Sequence, residues 1–337
     1  MHSFVELVCP EHSVPLQGPT GATDGYRCPE GCSFPVRNGI PRFVPQQNYA
    51  NSFGLQWNTF RRTQLDSFTG TTLSRDRLQR IAGGSLEVFR GKTVLEAGCG
   101  AGRFTEVMLG AGARVFAADI SSAVEANREN CGTASDYFVC QADITRLPLR
   151  REQFDIVVCV GVIQHTPDPE KTMAALCAHV KPGGRLFIDH YPPNYPVTLS
   201  RRLLRYYLLG RSSDHALRFC TTLIDWLWPL HRLMWRVFRE SPLRHVPLLP
   251  KVRSVFLRLS PVVDYHDPYP QLGPDLLKTW ALLDTHDTLT DFYKHLRSRE
   301  QISDFLAQCG MTQIETALGG NGVEARAQKP PGAGTGG

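Results

Sequence analysis

The chain has 337 residues, of which 42% are hydrophobic and 20% are charged, and its formal net charge is +5. This length allows about two domains, and the composition is that of a folded globular protein, which excludes wholesale disorder. No run of about 18 uncharged apolar residues is present, which excludes a conventional transmembrane helix. The first ten residues lack the basic and apolar regions of a secretory signal. We therefore expect a cytoplasmic protein.

Residues 1–45 are predicted to form a small module held together by a metal ion. Two short motifs, Cys-Pro-Glu-His and Cys-Pro-Glu-Gly-Cys, place Cys9 and His12 ahead of Cys28 and Cys32. Thiolate and imidazole ligands at such spacings are typical of tetrahedral zinc, and four protein ligands indicate a closed structural site. So short a module, with few large apolar side chains, needs a metal to fold. The alternative is that His12 is exposed and the cysteines are unliganded or redox-active.

Residues 46–91 are predicted to be a helical lead-in, because apolar residues recur there at helical spacing. From residue 92 onward, short apolar runs alternate with helical stretches, which is typical of an α/β fold with a doubly wound parallel sheet. The predicted strands are Thr93–Ala97, Arg114–Asp119, Tyr137–Gln141, Phe154–Val160 and Arg185–Tyr191.

Two capping signals and a hairpin complete this domain. Asp168, followed by a proline, is predicted to cap the helix after the fourth strand, and Ser298 with Gln301 forms a capping-box pattern. Glycines join the last two apolar runs, 311–318 and 323–328, which indicates a hairpin that closes the sheet. The sequence thus predicts a mostly parallel seven-stranded sheet with a terminal antiparallel hairpin.

The α/β pattern is interrupted between residues 192 and 297, and this insertion carries the positive charge of the chain. Residues 192–262 hold twelve Lys or Arg and three acidic residues, a net charge of +9, together with three of the five tryptophans. The α/β domain is therefore predicted to consist of residues 92–191 and 298–329. Residues 330–337 are predicted to be a disordered tail.

A glycine-rich turn after the first strand predicts a nucleotide site. Gly98, Gly100 and Gly102 separate the strand from a helix, so that a ligand can approach the backbone closely. A dinucleotide fingerprint spaces its glycines G-x-G-x-x-G, whereas these are spaced G-x-G-x-G. Glu96, just before the turn, would repel a pyrophosphate but suits a ligand with an ammonium and no phosphate, such as S-adenosylmethionine. Asp119, at the end of the second strand, suits two ribose hydroxyls.

These motifs, with Asp143 after the third strand and the run from Phe154 to His165, resemble those of class I S-adenosylmethionine-dependent methyltransferases. The resemblance covers residues 92–191 and 298–328. It implies that the three glycines line the methionine part of the cofactor, that Asp119 holds the ribose, and that Glu96 lies near the amino group. The other cofactor-binding residues that it implies are Cys99, Ile120, Asp143, Ile144 and Gly161, with Asp143 and Ile144 beside the adenine.

Two further segments show looser resemblances. Residues 1–45 are similar to the zinc ribbon that precedes the catalytic domain in several bacterial methyltransferases, some of which act on ribosomal RNA. The ligand order here, Cys-His then Cys-Cys, differs from the usual order in the RNA enzymes. The segment Phe53–Trp57 resembles the helical lead-in of bacterial methyltransferases related to the quinone-methylating enzymes.

His165 is the candidate catalytic residue. It follows the fourth predicted strand, at the carboxyl edge where such sheets bind ligands. Methyl transfer to an oxygen or carbon nucleophile needs a base, and an imidazole near neutral pH can serve as one. The alternative is a loop histidine that only packs over the cofactor.

The basic insertion, residues 192–297, is predicted to be a helical substrate cap. Leu230 and Leu233 fall on one helical face, and Trp235 falls on the opposite, basic face. Such an amphipathic basic segment also suits a peripheral membrane contact through residues 217–258. Binding to nucleic acid is the less favoured interpretation of the same charge.

These expectations combine into one predicted function. The chain is predicted to be a cytoplasmic enzyme, peripheral at the membrane if the insertion binds lipid. It transfers a methyl group from S-adenosylmethionine to oxygen or carbon of a small or lipid-like acceptor, and zinc is its second expected cofactor. The alternatives are an RNA base methyltransferase and a non-catalytic nucleotide-binding protein that keeps the fold.

Overall fold

The computed structural model describes residues 4–19, 25–45, 48–132, 135–239 and 249–332. The chain divides into two compact units. The first unit comprises Met1–Asn58, Thr72–Tyr195 and Tyr293–Gly337, and the second comprises Thr59–Thr71 and Pro196–Phe292.

The described strands all belong to the first unit. They are β1 (Tyr26–Arg27), β2 (Ser33–Phe34), β3 (Val36–Arg37), β4 (Ile40–Pro41), β5 (Thr93–Ala97), β6 (Arg114–Asp119), β7 (Tyr137–Gln141), β8 (Phe154–Cys159), β9 (Val180–His190), β10 (Thr312–Gly319) and β11 (Gly322–Gln328).

Helices occur in both units. The described α-helices are α1 (Asn51–Thr59), α2 (Asp66–Thr69), α3 (Leu73–Ile81), α4 (Thr105–Gly110), α5 (Val124–Cys131), α6 (Pro169–His179), α7 (Leu199–Leu208), α8 (Ser213–Arg239), α9 (Leu249–Leu259), α10 (Pro274–Thr290) and α11 (Arg299–Gln308). Short 3-10 helices cover Leu86–Phe89, Ile144–Arg146 and Ile163–His165.

A seven-stranded sheet forms the centre of the first unit, with the strand order β10-β11-β9-β8-β5-β6-β7. Strands β5 to β9 run parallel, and β10 with β11 adds an antiparallel hairpin at one edge. The predicted α/β fold and its terminal hairpin are therefore confirmed. Strand β9 begins earlier than predicted, at Val180, because its Pro-Gly-Gly run is accommodated as an irregularity in the pairing with β8.

Local capping signals start two helices where the sequence predicts them. The carboxylate of Asp168 accepts a hydrogen bond of 2.9 Å from the backbone N–H of Lys171 at the start of α6. Ser298 and Gln301 exchange side-chain to backbone hydrogen bonds of 2.8 and 3.3 Å at the start of α11. Each such cap typically stabilises a helix by about 1 kcal/mol. Both capping predictions are confirmed.

Aromatic and aliphatic side chains cover both faces of the sheet. On one face, the rings of Phe116 and Phe138 stack with their centroids 5.0 Å apart. On the other face, Phe89 and Phe187 meet edge to face at 6.0 Å. Burial of each such side chain contributes about 1.5–3 kcal/mol. This packing fixes the parallel strands whose carboxyl ends carry the candidate site.

The N-terminal module docks on the β7 edge of the sheet. Leu7 pairs with Leu149 in an isolated bridge, and the backbone N–H of Phe43 donates to the carbonyl of Gln141 at 2.8 Å. The guanidinium of Arg42 donates to the Gln141 side chain at 3.2 Å. Leu7 and Phe43 both belong to the main hydrophobic core. The module is therefore continuous with the core of the first unit.

The second unit is helical and holds a buried polar network. Helix α10 packs against α7 and α8. Nδ1 of His231 lies 2.6 Å from the Asp264 carboxylate, and its Nε2 lies 2.7 Å from Oγ of Ser260. Nδ1 of His266 lies 2.8 Å from the same carboxylate. Burial raises the pKa of Asp264, but the hydrogen bonds from His231 and His266 outweigh it and hold that pKa well below its usual range.

The structure corrects the predicted faces of the segment after residue 229, which is the last part of the long helix α8. Leu230 and Leu233 are 41% and 56% exposed, whereas the ring of Trp235 stacks on that of His266 at 5.4 Å. The prediction was wrong here because a short window shows helical periodicity but not the partner that the helix packs against. The buried histidine network decides which face is covered.

Two predicted segments fall partly outside the described residues. The predicted tail, residues 330–337, is described only to residue 332, and the predicted membrane contact, residues 217–258, lacks residues 240–248. Among the described residues, no helix combines the length and the apolar content needed to cross a membrane.

Candidate active site

The glycine turn between β5 and α4 bends the backbone tightly at the carboxyl edge of the sheet. Gly98 and Gly102 have φ angles of +82° and +95°, the left-handed region that favours glycine. A Cβ on Gly98 would lie 2.3 Å from Cγ2 of Val162, and one on Gly102 would lie 2.8 Å from Sγ of Cys131. Both positions therefore require glycine. Between them, burial raises the pKa of the Cys99 thiol well above its usual range.

Glu96 is a buried carboxyl group at the end of β5. The residue is 3% exposed, and its side chain accepts a hydrogen bond from the hydroxyl of Thr105. Burial raises the pKa of Glu96 to about 8, the hydrogen bond from Thr105 opposes this shift, and the nearby Asp119 reinforces it. Among the described residues Glu96 forms no ion pair. The fold therefore presents a buried carboxyl group that a cationic ligand would ionise.

Asp119 ends β6 and reaches back to the glycine turn. One oxygen, Oδ2, accepts a hydrogen bond of 3.0 Å from the backbone N–H of Gly100, and Oδ1 accepts two from Ser121 at 2.7 and 2.8 Å. A carboxylate oxygen can accept two hydrogen bonds, so Oδ2 keeps one position for a ligand hydroxyl. The next residue, Ile120, has its carbonyl held by the Gln141 side chain at 2.9 Å.

Asp143 caps the short helix that follows β7. Its Oδ1 accepts hydrogen bonds from the N–H and the hydroxyl of Thr145, at 2.7 and 2.9 Å. Ile144, the first residue of that helix, is buried. In the part of the chain that is described, no hydrogen bond reaches the second oxygen of Asp143. The cap thus fixes the carboxylate and leaves one oxygen for a ligand.

Gly161, directly after β8, is held by a buried carboxylate on the neighbouring strand. Its backbone N–H donates to Oδ1 of Asp189 at 2.5 Å. Asp189 is fully buried on β9, forms an ion pair with Arg77, and accepts a hydrogen bond of 3.4 Å from Asn321. Asp189 therefore ties the carboxyl ends of β8 and β9 together.

His165 lies in the 3-10 helix after β8, among aromatic rings. Its Nδ1 lies 3.3 Å from the carbonyl oxygen of Tyr293, and its ring centroid lies 5.3 Å from those of Phe53 and Tyr191. A carbonyl oxygen only accepts hydrogen bonds, so this contact favours the tautomer with the proton on Nδ1. Nε2 is then the acceptor. The backbone N–H of His165 also donates to the carbonyl of Val162 at 2.8 Å, which links it to the glycine turn.

Tyr49 and Trp57 lie at this site although no sequence motif assigned them a role there. Burial raises the pKa of Tyr49, and the charges of Asp143 and Asp119 raise it further. A Cβ on Gly100 would lie 3.5 Å from the indole ring of Trp57, so this ring packs on the glycine turn. For Trp57 the signals were the helical spacing of the lead-in and its resemblance to that of the quinone-methylating enzymes, and neither assigns a part in the site.

The four predicted metal ligands come together in the N-terminal module. The ligand atoms of Cys9, His12, Cys28 and Cys32 all lie within 4.8 Å of one another. Nδ1 of His12 is 3.6 Å from Sγ of Cys9, 3.4 Å from Sγ of Cys28 and 3.6 Å from Sγ of Cys32. In a tetrahedral zinc site, with Zn–S of about 2.3 Å and Zn–N of about 2.0 Å, the S···N separation is about 3.5 Å. The residues present fit a zinc ion.

Comparison with known proteins identifies the domain that carries this site. Residues 95–188, which include the glycine turn, the two carboxylates that follow it and His165, match a family described as a methyltransferase domain. Residues 95–188 therefore form a methyltransferase domain.

Curated relatives that this chain matches include ubiquinone biosynthesis O-methyltransferases. That of Coxiella burnetii is 34% identical over 113 residues, which cover 33% of this chain and 48% of the relative. That of Pseudomonas paraeruginosa is 38% identical over 106 residues, which cover 29% of this chain and 44% of the relative. The chain therefore spans about half the length of the curated relatives it matches. The structure of magnesium protoporphyrin IX methyltransferase from Synechocystis superposes with a TM-score of 0.42 and 15% identity, over 83% of this chain and 96% of that one.

Proposed function

We propose that this methyltransferase transfers a methyl group to a hydroxyl oxygen of a small or lipid-like aromatic acceptor. His165 carries the proposal, because its Nε2 is an acceptor and the rings of Phe53 and Tyr191 flank it. Such rings favour a planar acceptor that stacks or packs edge to face. The ubiquinone biosynthesis O-methyltransferases among the relatives support oxygen as the methylated atom.

The residues around the glycine turn fit S-adenosylmethionine. When bound, this cofactor supplies an activated methyl group on a positively charged sulfur. We propose that Glu96 pairs with its ammonium, that Gly98, Gly100 and Gly102 cradle its methionine part, and that Asp119 accepts one ribose hydroxyl at the open position of Oδ2. The other residues proposed to hold it are Cys99, Ile120, Asp143, Ile144 and Gly161.

The chain itself supplies orientation and a base. His165 takes the hydroxyl proton of the acceptor at Nε2, which leaves the acceptor oxygen nucleophilic. The contact of Nδ1 with the Tyr293 carbonyl then stabilises the imidazolium, because both ring nitrogens are donors in that state. A positioned base of this kind typically contributes a factor of about 10²–10⁴ to the rate.

The proposal is tested by methyl transfer from isotope-labelled S-adenosylmethionine to 4-methylcatechol and 4-methylphenol. His165→Gln is expected to lower kcat by about 10²–10⁴-fold without weakening the binding of S-adenosylhomocysteine. The control is His215→Gln, a histidine of the second unit that contacts Tyr207. Undiminished kcat in His165→Gln would overturn the role of this base. Tight S-adenosylhomocysteine binding with no transfer to phenols or to a lipid extract would support the non-catalytic alternative.

We also propose that Cys9, His12, Cys28 and Cys32 hold one structural zinc ion. The three S···N distances, 3.4–3.6 Å, support this, and four protein ligands leave no open position for catalysis. The purified protein is expected to contain one zinc per chain by elemental analysis. Cys28→Ser is expected to lose it, and native protein without stoichiometric metal would refute the proposal.

A third proposal concerns the second unit, which we propose to contact an anionic membrane surface peripherally. Leu199, Leu203, Tyr206 and Trp226 are between 63% and 86% exposed, on helices α7 and α8. Residues 192–262 carry a net charge of +9. Exposed apolar side chains interspersed with arginines are typical of helices that bind anionic lipid.

Vesicle sedimentation tests this contact. Binding is expected to vesicles of phosphatidylglycerol with phosphatidylcholine and not to phosphatidylcholine alone. Trp226→Ser should weaken it, whereas Leu318→Ser, which alters an apolar residue of the first unit that is 68% exposed, should not. If the protein does not bind vesicles but binds RNA, with an affinity that falls steeply as the salt concentration rises, the basic surface binds nucleic acid instead.

A further inference from the structure

A cavity of about 490 Å³ lies where the N-terminal module meets the α/β domain of the first unit. Three segments that are distant in the chain line it: residues 8–13 of the module, residues 145–151 between β7 and β8, and helix α6. No residue proposed to hold the methyl donor or the acceptor lines this cavity. Pockets for small organic ligands typically measure about 300–1,000 Å³. The cavity is therefore a separate candidate site of suitable size.

Positive charge surrounds the cavity. Arg146, Arg150 and Arg151 line it, and none of the described lining residues is acidic. Arg146 pairs with Glu11 at 2.9 Å and Arg150 pairs with Glu6 at 2.8 Å, but these four side chains are 47–61% exposed. Exposed ion pairs contribute only about 0–1 kcal/mol each. An anion in the cavity can therefore attract both guanidiniums at little cost.

Arg151 is the guanidinium for which the chain supplies no counterion. Within the described ranges it forms no ion pair and no hydrogen bond, although its charge acts on the His179 ring of the same cavity. A guanidinium presents five donors in a planar fork that matches the oxygens of a phosphate or a carboxylate. Arg151 is therefore the primary anchor for an anion.

His179 adds a neutral acceptor to the same cavity. Its Nδ1 lies 3.1 Å from the carbonyl oxygen of Arg150, which only accepts, so Nδ1 carries the proton. Burial, together with the charges of Arg151 and Lys329, lowers the pKa of His179 to about 4. The ring is then neutral near pH 7, and Nε2 is an acceptor. Among the described residues nothing donates to this atom.

An anion alone does not satisfy this set of groups. The oxygens of a phosphate dianion or a carboxylate only accept, so they pair with the arginines and leave Nε2 of His179 without a donor. A hydroxyl on the same ligand supplies that donor. Three guanidiniums favour phosphate over carboxylate, because a phosphate monoester carries about two charges and three acceptor oxygens. Apolar side chains, Leu147, Leu149 and Ala175 among them, remain for the carbon skeleton that joins the two groups.

We propose that this cavity binds a small phosphate monoester that also carries a hydroxyl. Its phosphate lies on Arg151, flanked by Arg146 and Arg150, and its hydroxyl donates to Nε2 of His179. The inference is independent of the proposed methyl transfer, because the two sites share no residue. It also assigns the ligand a place between the N-terminal module and helix α6, both of which contribute to the lining.

Calorimetric titration of glycerol 3-phosphate and propyl phosphate at pH 7 tests the proposal. The two probes carry the same phosphate and differ in two hydroxyls. Native protein is expected to bind glycerol 3-phosphate about tenfold more tightly. Arg151→Met is expected to weaken both probes by about tenfold or more, because it removes a hydrogen bond to a charged group. His179→Phe is expected to bind both probes equally.

The variants are chosen to leave the fold intact. Arg151 is exposed, and in His179→Phe the carbonyl of Arg150 keeps its hydrogen bond of 3.2 Å from the Gln153 side chain. The matched control is Arg185→Met, an exposed arginine on β9 that does not line the cavity and should leave both affinities unchanged.

Several results would overturn the inference. Native protein that binds neither probe at about 10 mM would do so, as would native protein that binds both equally. Equal weakening in Arg151→Met and Arg185→Met would show a general effect of charge and would also refute the site. Lysophosphatidate that binds more tightly than glycerol 3-phosphate, and loses this affinity in Arg151→Met, would support the site and identify its phosphate as a lipid headgroup.

Discussion

The Glu96→Gln variant is expected to bind S-adenosylhomocysteine without the pH dependence of the native protein. Burial raises the pKa of Glu96 to about 8 in the free protein, so this carboxyl group is protonated at pH 7. Pairing with the ammonium of the ligand requires the carboxylate. Binding must therefore release the proton, and affinity must rise with pH below pH 8.

The pKa sets the size of the effect. With a pKa of about 8, roughly 0.9 of the molecules carry the proton at pH 7, so binding releases about 0.9 proton per site. The ionised fraction rises about ninefold from pH 6 to pH 7, and the affinity should rise by the same factor. Glutamine cannot ionise, so the variant should bind more weakly and release no proton.

A stability measurement checks the same carboxyl group without ligand. A folded-state pKa above the ordinary value of 4.5 means that stability falls as the pH rises from 4.5 toward 8. Glu96→Gln removes this cost, so its melting temperature near pH 8 is expected to exceed that of the native protein.

Isothermal titration in phosphate and in Tris at pH 7 measures the released proton from the difference in apparent enthalpy. The control is Asp155→Asn, which removes a half-exposed carboxylate at the start of β8 that pairs with Lys181. This control should release the proton as the native protein does. A native affinity that is flat from pH 6 to pH 8, or a proton still released by Glu96→Gln, would refute the reasoning.

Three further changes have predictable outcomes. Removal of the metal by chelation, or Cys28→Ser, is expected to lower the melting temperature by about 5 °C or more, because the metal orders a module that is continuous with the core. Gly98→Ala is expected to cost about 1–3 kcal/mol and to abolish cofactor binding in calorimetry, because its Cβ would lie 2.3 Å from Val162. Arg77→Met leaves the buried Asp189 carboxylate without its ion pair and is expected to cost about 3 kcal/mol in urea unfolding.

Each of these changes has a matched control. Cys309→Ser alters a cysteine far from the metal ligands in sequence and should leave the metal bound. Gly112 has the same φ of +82° as Gly98, but a Cβ there would lie 3.8 Å from the nearest atom, so Gly112→Ala isolates backbone strain from the clash. Arg90→Met removes an ion pair with Glu87 whose side chains are both more than 70% exposed and should not change stability measurably. If a variant and its control lost the same amount of stability, bound metal or cofactor affinity, the cause stated for that variant would be contradicted.

Local patterns in the sequence were sufficient for the strands, the caps and the glycine turn. Buried parallel strands are visible in the sequence as short apolar runs. The capping box of Ser298 and Gln301 starts its helix through hydrogen bonds within one turn. Gly98 and Asp119 are predictable because a parallel sheet brings the ends of neighbouring strands to one edge. The cluster of Cys9, His12, Cys28 and Cys32 was predictable from spacing, since thiolate and imidazole groups on two short turns can meet around one ion.

Contacts between distant segments decided the rest. The charges of Asp119 and Asp143 act on Tyr49, and the carbonyl of Gln164 accepts a hydrogen bond from the N–H of His295, through backbone placement that no periodicity encodes. The covered face of α8 follows from the buried partners of Trp235, which a window of one helix does not contain. Sequence by itself determined the α/β fold, the glycine turn and the cysteine and histidine cluster, because each depends on neighbours in the chain. Tertiary structure alone decided which side chains line the cavity beside the N-terminal module, because segments that are distant in the chain form that cavity together.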